Sequence, residues 1–398
     1  MLHLQHAMRP RHQAGDIARG RFVSGFRSFI LNDLAGDLRA AYDTRVAPEF
    51  QKKHGRAPAS SSEVHKAMRA DPAFKVYSAC RVRAQTMVWD SVTPVVNRER
   101  AALEYVAAAT GALDAVRLDP DLVTPKNVAG LDVHLMPGGY LAADDFPLAA
   151  GAVYDQGLTV FSMGLMGQNL DDIGQSMAAY VRGAFPDFAP AAILDVGCTV
   201  GHNTLPWKTA YPDADVHATD VAASGLLYGA ARAKLQGKDV AFHQMNAEAL
   251  AFPDANFDLV FTSMFLHELS AKTRAAFFKE AHRLLRPGGL LLNMELPPNS
   301  QVAPFDGFYL DWDCFYNEEP FYKGFRDQEP RDLCRAGGFA EADYLQFVVP
   351  SIGIYGADAV AAAAAAAAAR GPGAIEDGKT GRLAEGVQWF GFGAWKAA

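Results

Sequence analysis

The stretch Ile193-Leu194-Asp195-Val196-Gly197-Cys198-Thr199-Val200-Gly201 decides the fold. An apolar strand ends in an acid and a glycine-bounded turn, and a helical pattern follows. This arrangement lets a ligand approach the backbone at the carboxyl end of the first strand of an open α/β sheet. Gly197 is expected to admit the ligand, because a Cβ there would collide with it. Gly201 is expected to let the next helix start close to the strand. Outward from this stretch the chain alternates. Strands are predicted at 191–197, 214–220, 239–246, 257–264 and 288–296, with helices at about 203–210, 222–236 and 271–285. Such alternation predicts a Rossmann-like doubly wound sheet with helices on both faces. Residues 343–351 and 387–396 read as two further strands, the last one antiparallel. Between them, nine consecutive alanines follow Val360 and read as a helix in a surface insertion, about 357–385, to which no chemistry is assigned.

The 398 residues suit two units, and half of them are hydrophobic, as in a soluble globular protein. No uninterrupted apolar run is long enough to span a bilayer, and the opening MLHLQHAMRPRHQ has no apolar core of signal-peptide length. Four cysteines make neither a disulfide framework nor a zinc spacing, so a cytoplasmic location and no metal are expected. The net charge of −8 conceals an asymmetry. Residues 1–100 carry 17 Lys/Arg against 9 Asp/Glu, and the remainder carries 20 against 36. Complementary packing of two units explains this better than nucleic-acid binding, because acids are interspersed among the bases.

Residues 1–150 are expected to form a mostly helical accessory unit, serving as a lid, a homodimer contact or both. Apolar residues fall at helical spacing from Ile17 to Phe50. Ser61 or Ser62 is expected to cap a short helix through Met68. Asp71-Pro72 opens another helix, and a further one is expected from about Val96 to Thr110. Residues 118–153, punctuated by Pro and Gly, read as a connector. A helix from Ile173 to Phe185 then leads into the second unit, 151–398, with its core at 186–300 and a lid at about 301–330.

Spacing sharpens the reading of the core. Asp220, followed by Val221, ends the second strand 19 residues beyond Gly201, where an acid can bind both hydroxyls of a ribose. Asn246-Ala247 follows the third strand, an FD-hydrophobic strand comes next, and Arg286-Pro287-Gly288-Gly289 precedes the fifth. The series resembles the class I S-adenosylmethionine-dependent methyltransferases, most closely the ubiquinone/menaquinone and sterol carbon methyltransferase group. The resemblance is strong over about 191–300, loose over 300–398 and slight over 1–150. It implies S-adenosylmethionine as cofactor and S-adenosylhomocysteine as product. It places Asp195, Gly197, Cys198 and Gly201 at the methionine end, Asp220 and Val221 at the ribose, Asn246 and Ala247 at the adenine, and Ser263 and Met264 beside the sulfonium. Tyr154, ahead of the first motif, is an aromatic expected to touch the cofactor. The sequence departs from the pattern at Thr199, where a middle glycine is usual, and at Asn246, where an aspartate is usual. A nicotinamide site would need a glycine between Gly197 and Gly201, and none is there.

Three residues are candidates for catalysis. His267, just past the fourth strand, has the titration range of a base, with a structural role as the alternative. Glu295, ending the fifth strand, is placed to bind an amine or accept a proton. Tyr309 belongs to Phe305–Phe325, which holds nine aromatics, five acids and one lysine. Aromatics with acids suit a cationic acceptor through cation–π attraction, and a hydrophobic lid is the alternative. Tyr309, Trp312 and Tyr316 are expected to share one helical face, with Asp311 and Asp313 off it. Glu248 and Asp258 read as structural hydrogen-bonding groups. The expected function is methylation of a small, partly apolar or cationic metabolite inside an aromatic-lined pocket. A methyltransferase acting on protein or RNA and a non-catalytic cofactor-binding module remain as alternatives.

Overall fold

The computed structural model describes residues 6–141, 145–370 and 386–397. Seven strands form one sheet in the order β3-β2-β1-β4-β5-β7-β6. They are β1 (Ala192–Val196), β2 (Asp215–Asp220), β3 (Ala241–Gln244), β4 (Phe257–Ser263), β5 (Leu285–Glu295), β6 (Tyr344–Pro350) and β7 (Gln388–Trp395). The first five pair in parallel, and β7 lies antiparallel between β5 and β6. The sheet is the Rossmann-like doubly wound one expected from the alternation, with its last strand antiparallel. The chain reverses direction in strand order at β1, where the sheet opens toward β4 and the ligand-binding crevice of such folds lies.

Burial of both sheet faces explains the near-continuous apolar strands. On one face, the helix Ala271–Leu284 packs Phe277, Phe278, Ala281 and Leu284 beside Leu194, Val260 and Leu291. On the other, the helix Asp172–Ala184 packs Met177 and Val181 beside Ile193, Phe261 and Leu292. The alanine-rich segment is the expected helix, Ala357–Arg370, but it packs into the core instead of lying in a surface insertion. Val360 and Ala364 are buried against the helix Asp172–Ala184, and Gly183 makes room for the Ala364 methyl. Residues 371–385 of the expected insertion lie outside the described residues.

The N-terminal region is helical, with two corrections to the expected boundaries. Ser60, not Ser61 or Ser62, caps the helix Ser61–Met68, its hydroxyl accepting from Glu63 N at 3.3 Å. The helix opened by Asp71-Pro72 runs on through Pro94 to Arg98, so the helix expected from Val96 starts instead at Arg100. Burial of Val92, Val95 and Val96 on both sides of Pro94 holds the helix together across the missing N–H. The connector is also shorter than expected, because helix resumes at Ala149.

Two hydrophobic clusters join this region to the rest. Val88, Trp89 and Val92 pack with Val153, Val200 and Tyr228. Ile30, Phe74 and Tyr77 pack with Phe305, Phe308 and Trp312.

Candidate active site

The loop after β1 is pinned to β2, with Gly197 N and Cys198 N both donating to Thr219 O, at 2.8 and 3.1 Å. Gly197 has φ +78°, and a Cβ on it would lie 2.2 Å from the Phe265 ring. The space that requires glycine is therefore held by a side chain of the β4 loop, a different neighbour from the expected ligand. Close approach of the next crossover depends on Gly225, whose Cβ would meet Thr199 O at 2.8 Å. Gly201 has only ordinary contacts and is absent from the cavity wall. Thr199 adopts φ +48°, the left-handed conformation that the usual glycine would take without strain.

Asp220 ends β2 and receives two backbone hydrogen bonds, Thr199 N to Oδ2 and Ala222 N to Oδ1, each 2.9 Å. Burial pushes its carboxyl up to about 6. Asp195 is buried, accepts from the Thr204 hydroxyl, and is pushed by burial up to about 7. Burial also raises the Cys198 thiol well above its ordinary range, which suits packing and not nucleophilic attack. Ser263 Oγ accepts from Asn203 Nδ2 at 3.0 Å, and Asn203 Oδ1 accepts from Gly174 N at 3.0 Å. Tyr154 stacks on His202 at 6.0 Å, and burial raises its hydroxyl.

One cavity of about 790 Å³ joins these groups to a second set. Asp195, Gly197, Cys198, Asp220, Val221, Ser263, Met264 and Tyr154 line it, as do all three catalytic candidates, His267, Glu295 and Tyr309. Asn246 and Ala247 do not. Asn246 Oδ1 accepts from Glu248 N at 3.0 Å in a turn of its own. Among the described residues eight non-glycine residues have positive φ, and six of them line this cavity, Thr199 and Met264 included. Backbone strain of this kind concentrates where the surrounding structure holds a site in place.

His267 and Glu295 meet directly. His267 Nδ1 lies 2.7 Å from Glu295 Oε2, and Glu295 Oε1 accepts from Leu266 N at 2.6 Å. A carboxylate can only accept, so Nδ1 carries the proton and the other ring nitrogen, Nε2, is the one left to exchange it. Burial alone would lower the histidine's pKa. The carboxylates of Glu295, Glu319 and Glu268 outweigh it and hold the ring above its ordinary value.

Sequence reasoning missed the partners that complete this constellation. His267 Nε2 lies 3.9 Å from Glu319 Oε2, and Glu319 Oε1 lies 2.8 Å from His134 Nδ1. His134 Nε2 lies 3.4 Å from Glu268 Oε1, which also accepts from Tyr140 OH at 2.8 Å. Burial works against charge here as well, yet Glu319 and Glu268 raise His134 well above its ordinary value, and the two histidines lower Glu319. Glu319 was visible in the sequence only as one acid of the aromatic segment. His134 lies in the Pro/Gly connector, where no periodicity marks it.

Tyr309 takes a different place from the histidine. Its ring neighbours are Tyr77 at 5.9 Å and the Arg81 guanidinium at 5.9 Å. Trp312 and Tyr316 lie 5.4 Å apart, and with Tyr309 they pack on the N-terminal helices as one face. The two aspartates off that face form ion pairs, Asp311 with Arg326 and Asp313 with Arg81. Glu248 accepts from Thr273 Oγ1, and Asp258 accepts from Ala191 N and pairs with Arg286, as expected of structural groups.

Comparison with known proteins agrees with this geometry. A family described as a methyltransferase domain matches residues 193–289. The match runs from β1 into β5, the part of the sheet that carries the Asp195 and Asp220 end of the cavity. Among its relatives, a demethylmenaquinone methyltransferase of Thermus thermophilus is 34% identical over 115 residues, 29% of this chain and 51% of the relative. A ubiquinone/menaquinone biosynthesis C-methyltransferase of Hahella chejuensis is 38% identical over 122 residues, 29% of this chain and 47% of the relative. A malonyl-[acyl-carrier protein] O-methyltransferase of the same organism is 32% identical over 144 residues, 36% of this chain and 46% of the relative. The chain spans about half the length of these curated relatives. Among solved structures, a phosphoethanolamine N-methyltransferase of Haemonchus contortus in complex with S-adenosyl-L-methionine covers 61% of this chain and 57% of its own, at 16% identity and a TM-score of 0.41. A likeness of that degree carries no argument.

Proposed function

We propose that the protein transfers the methyl group of S-adenosylmethionine to a small, partly apolar or cationic acceptor held inside the cavity. One observation carries this reading: a single cavity runs from Asp195 and Asp220 to the His267–Glu295 pair and the lid. The residues at the β1–β2 end fit the cofactor. Each Asp220 oxygen accepts one backbone N–H and keeps acceptor capacity for a ribose hydroxyl. Asp195 and the loop from Gly197 to Thr199 would hold the methionine part, and Ser263 and Met264 the region of the sulfonium. When bound, S-adenosylmethionine supplies an electrophilic methyl group, so the protein's tasks are positioning, exclusion of water and handling of a proton.

His267 is suited to the proton. Glu295 fixes its tautomer and favours the protonated ring, which makes Nε2 a stronger base than a free imidazole. Tyr309, backed by Tyr77, would form the far wall against the acceptor together with Arg81. Among the relatives, one is named for demethylmenaquinone, a small acceptor, and another for a malonyl group carried on a protein.

The test pairs calorimetric titration with S-adenosylhomocysteine and turnover of wild type and His267→Ala. The expected result is nanomolar-to-micromolar binding by both proteins and turnover lowered on the order of a hundredfold in the variant. No binding by wild type would overturn the methyltransferase reading, and full turnover by the variant would remove His267 from catalysis.

A further inference from the structure

We infer that the acceptor is a primary or secondary amine, seated with its nitrogen between His267 Nε2 and Glu319 Oε2. The inference rests on the methyltransferase reading and names its substrate class. The two atoms face each other across 3.9 Å, too far for a hydrogen bond. A nitrogen about 2.8 Å from both would subtend roughly 90° between them, within reach of two N–H bonds of one tetrahedral nitrogen. His267 must be neutral to accept a proton, and its Nδ1–H is already committed to Glu295. In that state Nε2 and the Glu319 carboxylate are both acceptors. An ammonium or protonated secondary amine satisfies both. A hydroxyl has a single proton and leaves one of them unpaired, which is costly in a buried site.

Charge points the same way. With His267 neutral, Glu295, Glu319 and Glu268 face one imidazolium, His134, and the buried Arg274 guanidinium beside Glu295, which leaves one negative charge in excess. Glu295 and Glu319 are almost fully buried, at 1% and 4% exposure, where excess charge demands a counterion. One ammonium brings the set to neutrality. A separate observation also calls for a polar ligand in this cavity. Ser162 Oγ, at the end of the helix Ala149–Phe161, is buried on its wall without a hydrogen-bond partner. A second polar group on the acceptor would satisfy it.

The step balances. The ammonium gives one proton to His267 Nε2 and becomes an amine. Its lone pair forms the N–CH3 bond as the S–CH3 bond breaks and that pair stays on sulfur. The product leaves as the N-methylammonium ion, and His267 releases its proton to water.

The test uses the full chain saturated with S-adenosylhomocysteine and three probes of one shape: phenethylamine, 2-phenylethanol and phenylacetate. Calorimetry should find phenethylamine bound at least about tenfold more tightly than the alcohol, with phenylacetate weakest. Glu319→Gln should reduce the amine's advantage by about tenfold or more and leave S-adenosylhomocysteine affinity unchanged, which also reports that the variant folds. Phenethylamine binding no tighter than 2-phenylethanol, absence of measurable binding included, would overturn the inference, as would a full amine preference in Glu319→Gln. The wild-type panel decides even if the variant does not fold. Failure of wild type to bind S-adenosylhomocysteine would instead overturn the methyltransferase reading beneath it.

Discussion

Asp220 and His267 make opposite demands on pH. Asp220 serves a ribose diol best as a carboxylate, and burial sets its carboxyl at about 6. Affinity for S-adenosylhomocysteine is therefore expected to fall as pH drops below about 7, where Asp195 and then Asp220 protonate, measured by calorimetry, and Asp220→Asn should remove the lower part of that dependence. Asp220→Ala should weaken binding by about 1–3 kcal/mol, the scale of lost charged hydrogen bonds. His267 must be neutral to take a proton, and its carboxylate neighbours hold it above the ordinary histidine value. The profile of kcat/KM should rise with pH through that elevated pKa and then level. Glu295→Gln removes a negative charge, so the rising limb should move to lower pH. A limb that stays in place would assign it to another group. Asp195, Asp220, His267 and Glu295, which line one cavity, could be proposed from the sequence because each sits at or shortly after a strand end and the motif resemblance marks those ends. Glu319 and His134 were not, because 185 residues separate them and only the packed lid brings them together.

The lid and the N-terminal helices are fastened by polar contacts within an apolar interface. Trp312 Nε1 donates to Ser78 Oγ at 2.8 Å, Arg81 pairs with Asp313 at 2.9 Å, and His65 Nε2 lies 3.1 Å from Tyr316 OH. Arg81→Met removes the guanidinium from Asp313, which keeps the Asn317 amide at 3.2 Å, and is expected to cost about 1.5–3 kcal/mol in denaturant unfolding. The helix Ala149–Phe161 approaches the helix Pro72–Arg98 through Gly157, where a Cβ would lie 2.2 Å from Trp89 Cζ3. Gly157→Ala should destabilise by about 1–3 kcal/mol through overpacking, and an unchanged midpoint would show that the interface gives way. Strands were easier to read than these helices. An apolar run with a glycine turn at its end marks a strand locally. The helix through Pro94 survives only because valines on both sides of the proline are buried by neighbours distant in sequence.

At the scale of the molecule, the cavity is walled in part by stretches of the chain that the matched domain does not include. The family match ends at residue 289, whereas Arg81, His134, Tyr309 and Glu319 all line the cavity. Removal of residues 1–135 should expose Val200, Tyr228, Phe305, Phe308 and Trp312, giving an aggregating or inactive product. A soluble, active fragment would show that the helical region is dispensable. The sheet and its cofactor end were readable because they rest on local patterns repeated along 191–300. The acceptor end was only partly readable, because it is assembled from the N-terminal helices, the connector and the lid. The central claim is methyl transfer to a small acceptor enclosed by those elements. It is tested most directly by mixing the full chain and S-adenosylmethionine bearing a heavy methyl group with a cell extract divided into small-molecule and macromolecular fractions, and following the label by mass spectrometry. The account predicts label in a small metabolite, at a rate that His267→Ala reduces by on the order of a hundredfold. Label confined to protein or RNA would contradict it.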